Sequence, residues 1–182
     1  MEALLRALQQ PEYLHTLLNP VPIYGLALGL FGLLIALFLK SRQAQVATLA
    51  IILVSSATAL PVYLLGERAK NRMEGLVDEP GRAWLEVHEQ RAEKVIWAFY
   101  ILAAVAAAAL LAPIRWPRSA TLLALAAFAG GMIALALGGF VAHAGGKIRH
   151  REFRSGAPPE AVAKAEGDRS VVADGGAATD SC

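Results

Sequence analysis

The chain has 182 residues, of which 56% are hydrophobic and only 18% charged, a balance too apolar for an ordinary soluble domain. A net charge of +2, with basic residues lying in short clusters beside apolar runs, excludes a nucleic-acid-binding surface. The one cysteine, Cys182, rules out an internal disulfide, a c-type haem attachment site and a thiolate metal cage.

Residues 1–20 carry Glu2, Arg6 and Glu12 and lack the basic start, apolar middle and small-residue cleavage site of a secretory signal, so this segment is expected to be retained. Leu4, Leu5, Leu8, Leu14, Leu17 and Leu18 form an amphipathic pattern interrupted by Pro11, which suits a segment lying along a membrane interface. Four stretches then follow without any Asp, Glu, Lys or Arg: 21–39, 46–66, 95–114 and 119–142. Each has the roughly 20 apolar residues that a helix needs to cross the hydrocarbon core, and none shows the alternation of a barrel strand. The expected fold is therefore all-α, an integral-membrane four-helix bundle over 21–150.

The connections 40–45 and 115–118 are short and make neighbouring helices antiparallel, whereas 67–94 reads as a long polar loop. Both termini and that loop then share one face. Lys40, Arg42, Arg115 and Arg118 mark the opposite face as cytoplasmic, placing the termini and 67–94 on the periplasmic or extracellular side of a cell membrane. Lys147, Arg149, Arg151 and Arg154 argue the other way, and read either as an anchor near lipid headgroups or as partners for haem propionates or anionic lipid. The aromatic residues Tyr24, Trp97, Tyr100 and Trp116 fall near span ends, where amphipathic rings sit.

No span carries an ionisable residue, which weighs against a proton-coupled pump. Ser55, Ser56 and Thr58 read as interhelical hydrogen-bonding groups and as support for the carbonyl that Pro61 leaves free. The third helix is expected to begin near Pro80, behind acidic Asp78 and Glu79, and to rise about three turns above the membrane. Its inner stripe would be Trp84, Val87, His88, Arg91, Ala92 and Val95. The fourth helix carries Gly130, Gly131, Gly138, Gly139, Gly145 and Gly146, a small-residue stripe that gives clearance to a flat macrocycle or to a packed helix. From Gly156 onward the composition of the 151–182 tail is that of a disordered segment.

All four histidines, His15, His88, His143 and His150, fall on the non-cytoplasmic side. Imidazole is the usual protein ligand for transition metals and a common axial ligand of haem iron, and facing helices of a bundle are a usual place to build such a site. His88 paired with His143 or His150 would serve a b-type haem, with Gly138 and Gly139 giving room and Arg91 on the cofactor-facing stripe. The four histidines together would serve a transition metal.

Asn19, Pro20, Val21, Pro22 and Ile23 at the first helix, Gly66, the His88, Arg91, Ala92 stretch and the turn through His150 resemble a bacterial family of small four-span membrane proteins of unknown function. Its first helix opens with a His-Pro and His-Phe-Pro signature, and its last ends in a glycine-rich turn with a basic or histidine residue. The resemblance runs from about Asn19 to His150 and departs where Asn19 and Tyr24 stand in place of the signature histidines. It implies haem or redox association, and carries over His88 and the 143–150 turn only.

Three functions follow as expectations. The first is a membrane cytochrome or metal-binding redox protein that transfers electrons between partners; the second, a cofactor-free scaffold subunit offering its glycine stripe to a partner helix; the third, a small-solute transporter. Homo-oligomer formation is left open, and no hydrolase or nucleotide-enzyme motif is present.

Overall fold

In a computed structural model, which describes residue 6 and residues 8–155, the chain forms four antiparallel rods and contains no strand among the described residues. The first rod joins α1 (Pro11–Leu18), a π-helical turn (Val21–Gly25) and α2 (Leu26–Phe38). The second joins α3 (Arg42–Ala57) to α4 (Ala59–Glu74), the third is the single helix α5 (Glu79–Arg115), and the fourth is α6 (Ala120–Arg149) behind a 3-10 turn. All four rods are long and apolar enough to cross a membrane. The protein is thus a multi-pass, all-α membrane protein. Leu4, Leu5, Cys182 and the rest of the 156–182 tail lie outside the described residues.

Prolines decide where the rods are irregular. Pro22 has no N–H to donate, so the first rod winds loosely at Val21–Gly25, and the Tyr24 N–H closes onto the Pro20 carbonyl at 2.8 Å. Pro61 leaves the Ala57 carbonyl without its helical donor, and the second rod breaks at Thr58, whose hydroxyl donates back to the Ser55 carbonyl at 2.7 Å. Within α5, Pro113 withholds the donor that would serve the Ala109 carbonyl. Arg42 supplies it from the neighbouring rod, with Nη2 donating to that oxygen at 3.0 Å. The side chain expected to mark the cytoplasmic turn therefore also repairs a helix.

Glycines set the spacing of the rods. A Cβ on Gly29 would stand 2.8 Å from Ile52, one on Gly32 2.6 Å from Thr48, and one on Gly131 2.6 Å from Leu30. Around these approaches Leu26, Leu33, Leu49, Ile52 and Leu102 are fully buried, while Phe31, Phe38, Ile101, Ile114 and Leu122 face outward. Large apolar side chains on the outer surface are what a lipid-embedded bundle presents. A second, smaller core of Trp84, Val87, Ala144 and Ile148 lies between α5 and α6 beyond the apolar stretches.

Between the second and third spans, 80–94 is helical as the expected start near Pro80 requires, and 67–74, expected to be loop, is helical as well. α4 runs on to Glu74 and α5 starts at Glu79, so only 75–78 connect them. Two features make that economical: the Asp78 carboxylate caps α5 by accepting the Gly81 N–H at 3.1 Å, and the helical extensions pair through Lys70–Glu89 at 2.6 Å and Arg72–Glu12 at 2.7 Å. The second of these ties α1 to α4, so α1 packs on the extension of the second rod. α6 continues helically through Gly145 and Gly146.

Most of the basic run after the fourth span is committed within the protein. Arg154 donates to Asp78 at 2.9 Å and to the Lys147 and Ile148 carbonyls at 2.7 and 2.6 Å, joining the start of α5 to the end of α6. This guanidinium holds the Asp78 carboxyl below its ordinary value. Arg151 also pairs with Asp78, at 3.0 Å. Lys147 is buried and lies 4.3 Å from the Trp84 ring centroid. Gly81 is required in this clasp, because a Cβ there would stand 2.6 Å from the Asp78 carboxylate and 2.7 Å from the Ile148 carbonyl.

Candidate functional site

Above the membrane core the four rods part into two pairs, α1 with α4 and α5 with α6, and a cleft of about 540 Å³ lies between them. Ile23, Val95, Ile96, Phe99 and Gly138 line its apolar end. Its other end, toward the chain termini, carries Glu12, Glu67, Lys70, Glu89 and Arg149. The lining on α5 runs from Leu85 to Phe99, about 21 Å at the helical rise. The cleft is therefore long, greasy at one end and charged at the other.

Two histidines line this space, one on each wall. On one wall the Nδ1 of His15 lies 2.8 Å from the Val62 carbonyl; on the other the Nδ1 of His88 lies 3.0 Å from the Val141 carbonyl. A carbonyl only accepts, so each Nδ1 carries a proton, and in the neutral form of each ring the lone pair lies on Nε2. Each ring lies over a glycine: a Cβ on Gly66 would stand 3.1 Å from His15 Cε1, and one on Gly145 3.1 Å from His88 Cε1 and Nδ1. Neither Nε2 has a hydrogen-bond partner among the described residues.

The other sequence-derived candidates are placed differently. His150 lines the mouth of the cleft, with Nδ1 3.0 Å from Glu152 and its ring 5.0 Å from that of Phe153. His143 is exposed and does not line the cleft, because Val141 and Gly145 face inward and a residue between them points to the far side of α6. Gly138 is in the cleft wall, but Ile23 and Phe99 already fill the space above it, whereas Gly139 has nothing within 4 Å. Clearance along the glycine stripe thus serves packing at Gly131 and Gly138, and an imidazole at Gly145. Arg91 lies 3.9 Å over the Phe140 ring and does not line the cleft.

Among the described residues no group of three or more His, Cys, Asp or Glu side chains is placed to hold a metal ion. What the cleft does offer is two imidazoles of fixed tautomer, an apolar floor and cations at the mouth. That donor set suits a flat apolar group needing two axial nitrogens better than a bare cation needing three or four ligands. The sequence groups His15 with His88 only in the four-histidine metal set and otherwise matches His88 to His143 or His150; the structure places His15 and His88 in one cleft. The usable signal was the valine-to-glycine spacing in α4 and α6 that seats both rings.

No known family model, characterised protein or solved structure matches this chain. Fold and site together define a class: a four-span membrane bundle with an amphipathic, imidazole-bearing cleft at the end where its termini emerge. Its function is argued from that cleft.

Proposed function

We propose that the protein is a membrane-embedded electron carrier whose cleft holds a b-type haem between His15 and His88. The observation that carries this reading is the opposed pair of imidazoles, each tethered through Nδ1 to a backbone carbonyl at 2.8 and 3.0 Å. Such a second bond fixes the ring's orientation and makes its other nitrogen a better ligand. When bound, the haem supplies one-electron exchange at its iron. The protein's own part is to bind, orient and shield: His15 and His88 present Nε2, Val62 and Val141 hold the rings, and Ile23, Ile96 and Phe99 keep water from the apolar end. Were His15 and His88 both to hold the haem, it would supply electron transfer and not bond-making chemistry.

In this reading the short turns bearing Lys40, Arg42, Arg115 and Arg118 are cytoplasmic and the cleft opens to the periplasm or exterior. A redox partner would approach the mouth, where His150 and Arg149 stand. The test is an absorption spectrum of detergent-purified protein from haem-supplied cells. A Soret band of six-coordinate low-spin type is expected in the wild type, lost or converted to high-spin in His15→Ala and His88→Ala, and unchanged in His143→Ala. Absence of the band, or its survival in His88→Ala, would overturn the proposal.

A further inference from the structure

The cleft is built twice from one pattern. α4 carries Val62, Gly66 and Lys70 at steps of four, and α6 carries Val141, Gly145 and Arg149 at the same steps. In each helix the valine carbonyl takes an imidazole Nδ1–H from the preceding rod, at 2.8 and 3.0 Å, and the glycine seats that ring. The cation stands about 6 Å further toward the mouth, one helical turn on. His15 and His88 are 73 positions apart, as are Ile23 and Ile96; Val62 and Val141, Gly66 and Gly145, and Lys70 and Arg149 are each 79 apart. All these residues line the cleft. The first two rods and the last two therefore bring the same residue pattern into the cleft, running in the same direction.

A ligand in the cleft meets two like half-sites, each an imidazole with a cation one turn further along. We propose that the bound group carries two carboxylates directed at the mouth, one toward Lys70 and one toward Arg149, so that the ligand is a dicarboxylate tetrapyrrole inserted apolar edge first. This rests on the haem reading above. Two imidazoles and an apolar floor would suit any flat metal macrocycle; the repeated cation is what selects a diacid.

The half-sites are not equal. Lys70 already donates to Glu89, with Nζ 2.7 and 2.6 Å from its two oxygens, and Glu67 stands beside it in the lining. Arg149 is exposed and forms no ion pair among the described residues. An arriving carboxylate competes with Glu89 at Lys70 and meets no competitor at Arg149, so Arg149 is the stronger of the two receivers.

The experiment compares haem with haem dimethyl ester, titrated into the full-length, detergent-purified apoprotein. An exposed ion pair is worth up to about fivefold in affinity. Wild type is expected to prefer the diacid about tenfold. Arg149→Met should reduce that preference to about twofold, and the Lys70→Met/Arg149→Met pair should abolish it while the six-coordinate spectrum persists. Circular dichroism and elution volume establish that the variants fold. Equal binding of diacid and diester to wild type, or a preference unchanged in the double variant, overturns the carboxylate assignment and leaves the imidazole site standing. One anionic phospholipid retained per wild-type chain and lost from the double variant, alongside equal binding of the two haems, would assign the cations to a lipid phosphate and overturn it too. Failure of both probes to give an imidazole-ligated spectrum removes this inference together with the haem reading.

Discussion

Replacing Arg42 by Met should destabilise the protein by about 1.5 to 3 kcal/mol, the range for a hydrogen bond to a charged group, provided Pro113 is present. The reasoning is local. Pro113 has no N–H, so the Ala109 carbonyl four residues earlier lacks its helical donor, and the guanidinium at 3.0 Å replaces it. Methionine keeps an apolar stem of similar length and removes the donor, leaving a carbonyl in a region with little water to compensate. In Pro113→Ala, residue 113 regains an N–H and can serve Ala109 itself, so Arg42→Met in that background should cost less than about 0.5 kcal/mol. The coupling between the two sites is then roughly 1 to 3 kcal/mol. Unfolding of the four proteins in mixed micelles of rising SDS fraction, followed by tryptophan fluorescence, measures all four corners of the cycle. Equal costs for Arg42→Met with and without Pro113 would refute the account.

Further outcomes follow from contacts at the cleft and the clasp. Gly145→Ala places a methyl 3.1 Å from the His88 ring and should push the imidazole off the Val141 carbonyl, weakening haem uptake in a titration by about tenfold, the loss of roughly one charge-free hydrogen bond and its alignment. Gly139→Ala, with nothing within 4 Å, should leave the same titration unchanged. Gly81→Ala should separate the first turn of α5 from the end of α6, read as faster amide exchange over 79–88 with the spans still protected. Asp78 titrates below its ordinary value of 3.8, so its contribution to stability is fully present above that value and is lost as pH falls through the lower, folded one. Thermal unfolding of wild type against Asp78→Asn should accordingly differ at about pH 6 and converge as the pH falls through the lowered, folded value; a constant difference at every pH would count against the Asp78–Arg154 clasp.

The number of rods was legible because four runs without charge, each about a membrane's thickness long, admit no other structure in lipid. So was the start of α5, where an aspartate cap precedes Pro80. The helical character of 67–74 was harder to see, since a polar helix lacks the apolar periodicity by which a sequence declares a helix. The site was legible only in part. His88 stood out by its position on the inner stripe, but His15 belongs to a segment whose leucines suggested a life along the interface, and its partnership depends on α1 folding against α4.

By itself, then, the amino-acid order determined that the chain is a lipid-embedded helical protein with its imidazoles toward one end, because transfer of apolar surface and backbone hydrogen bonding are settled within each segment. The pairing of His15 with His88, the exclusion of His143 and the commitment of Arg154, Lys147 and Arg42 to internal partners were decided only in three dimensions. Those outcomes depend on the rotational phase of each helix against its neighbour, which is set by where glycines let two rods approach and by which carbonyls prolines leave bare.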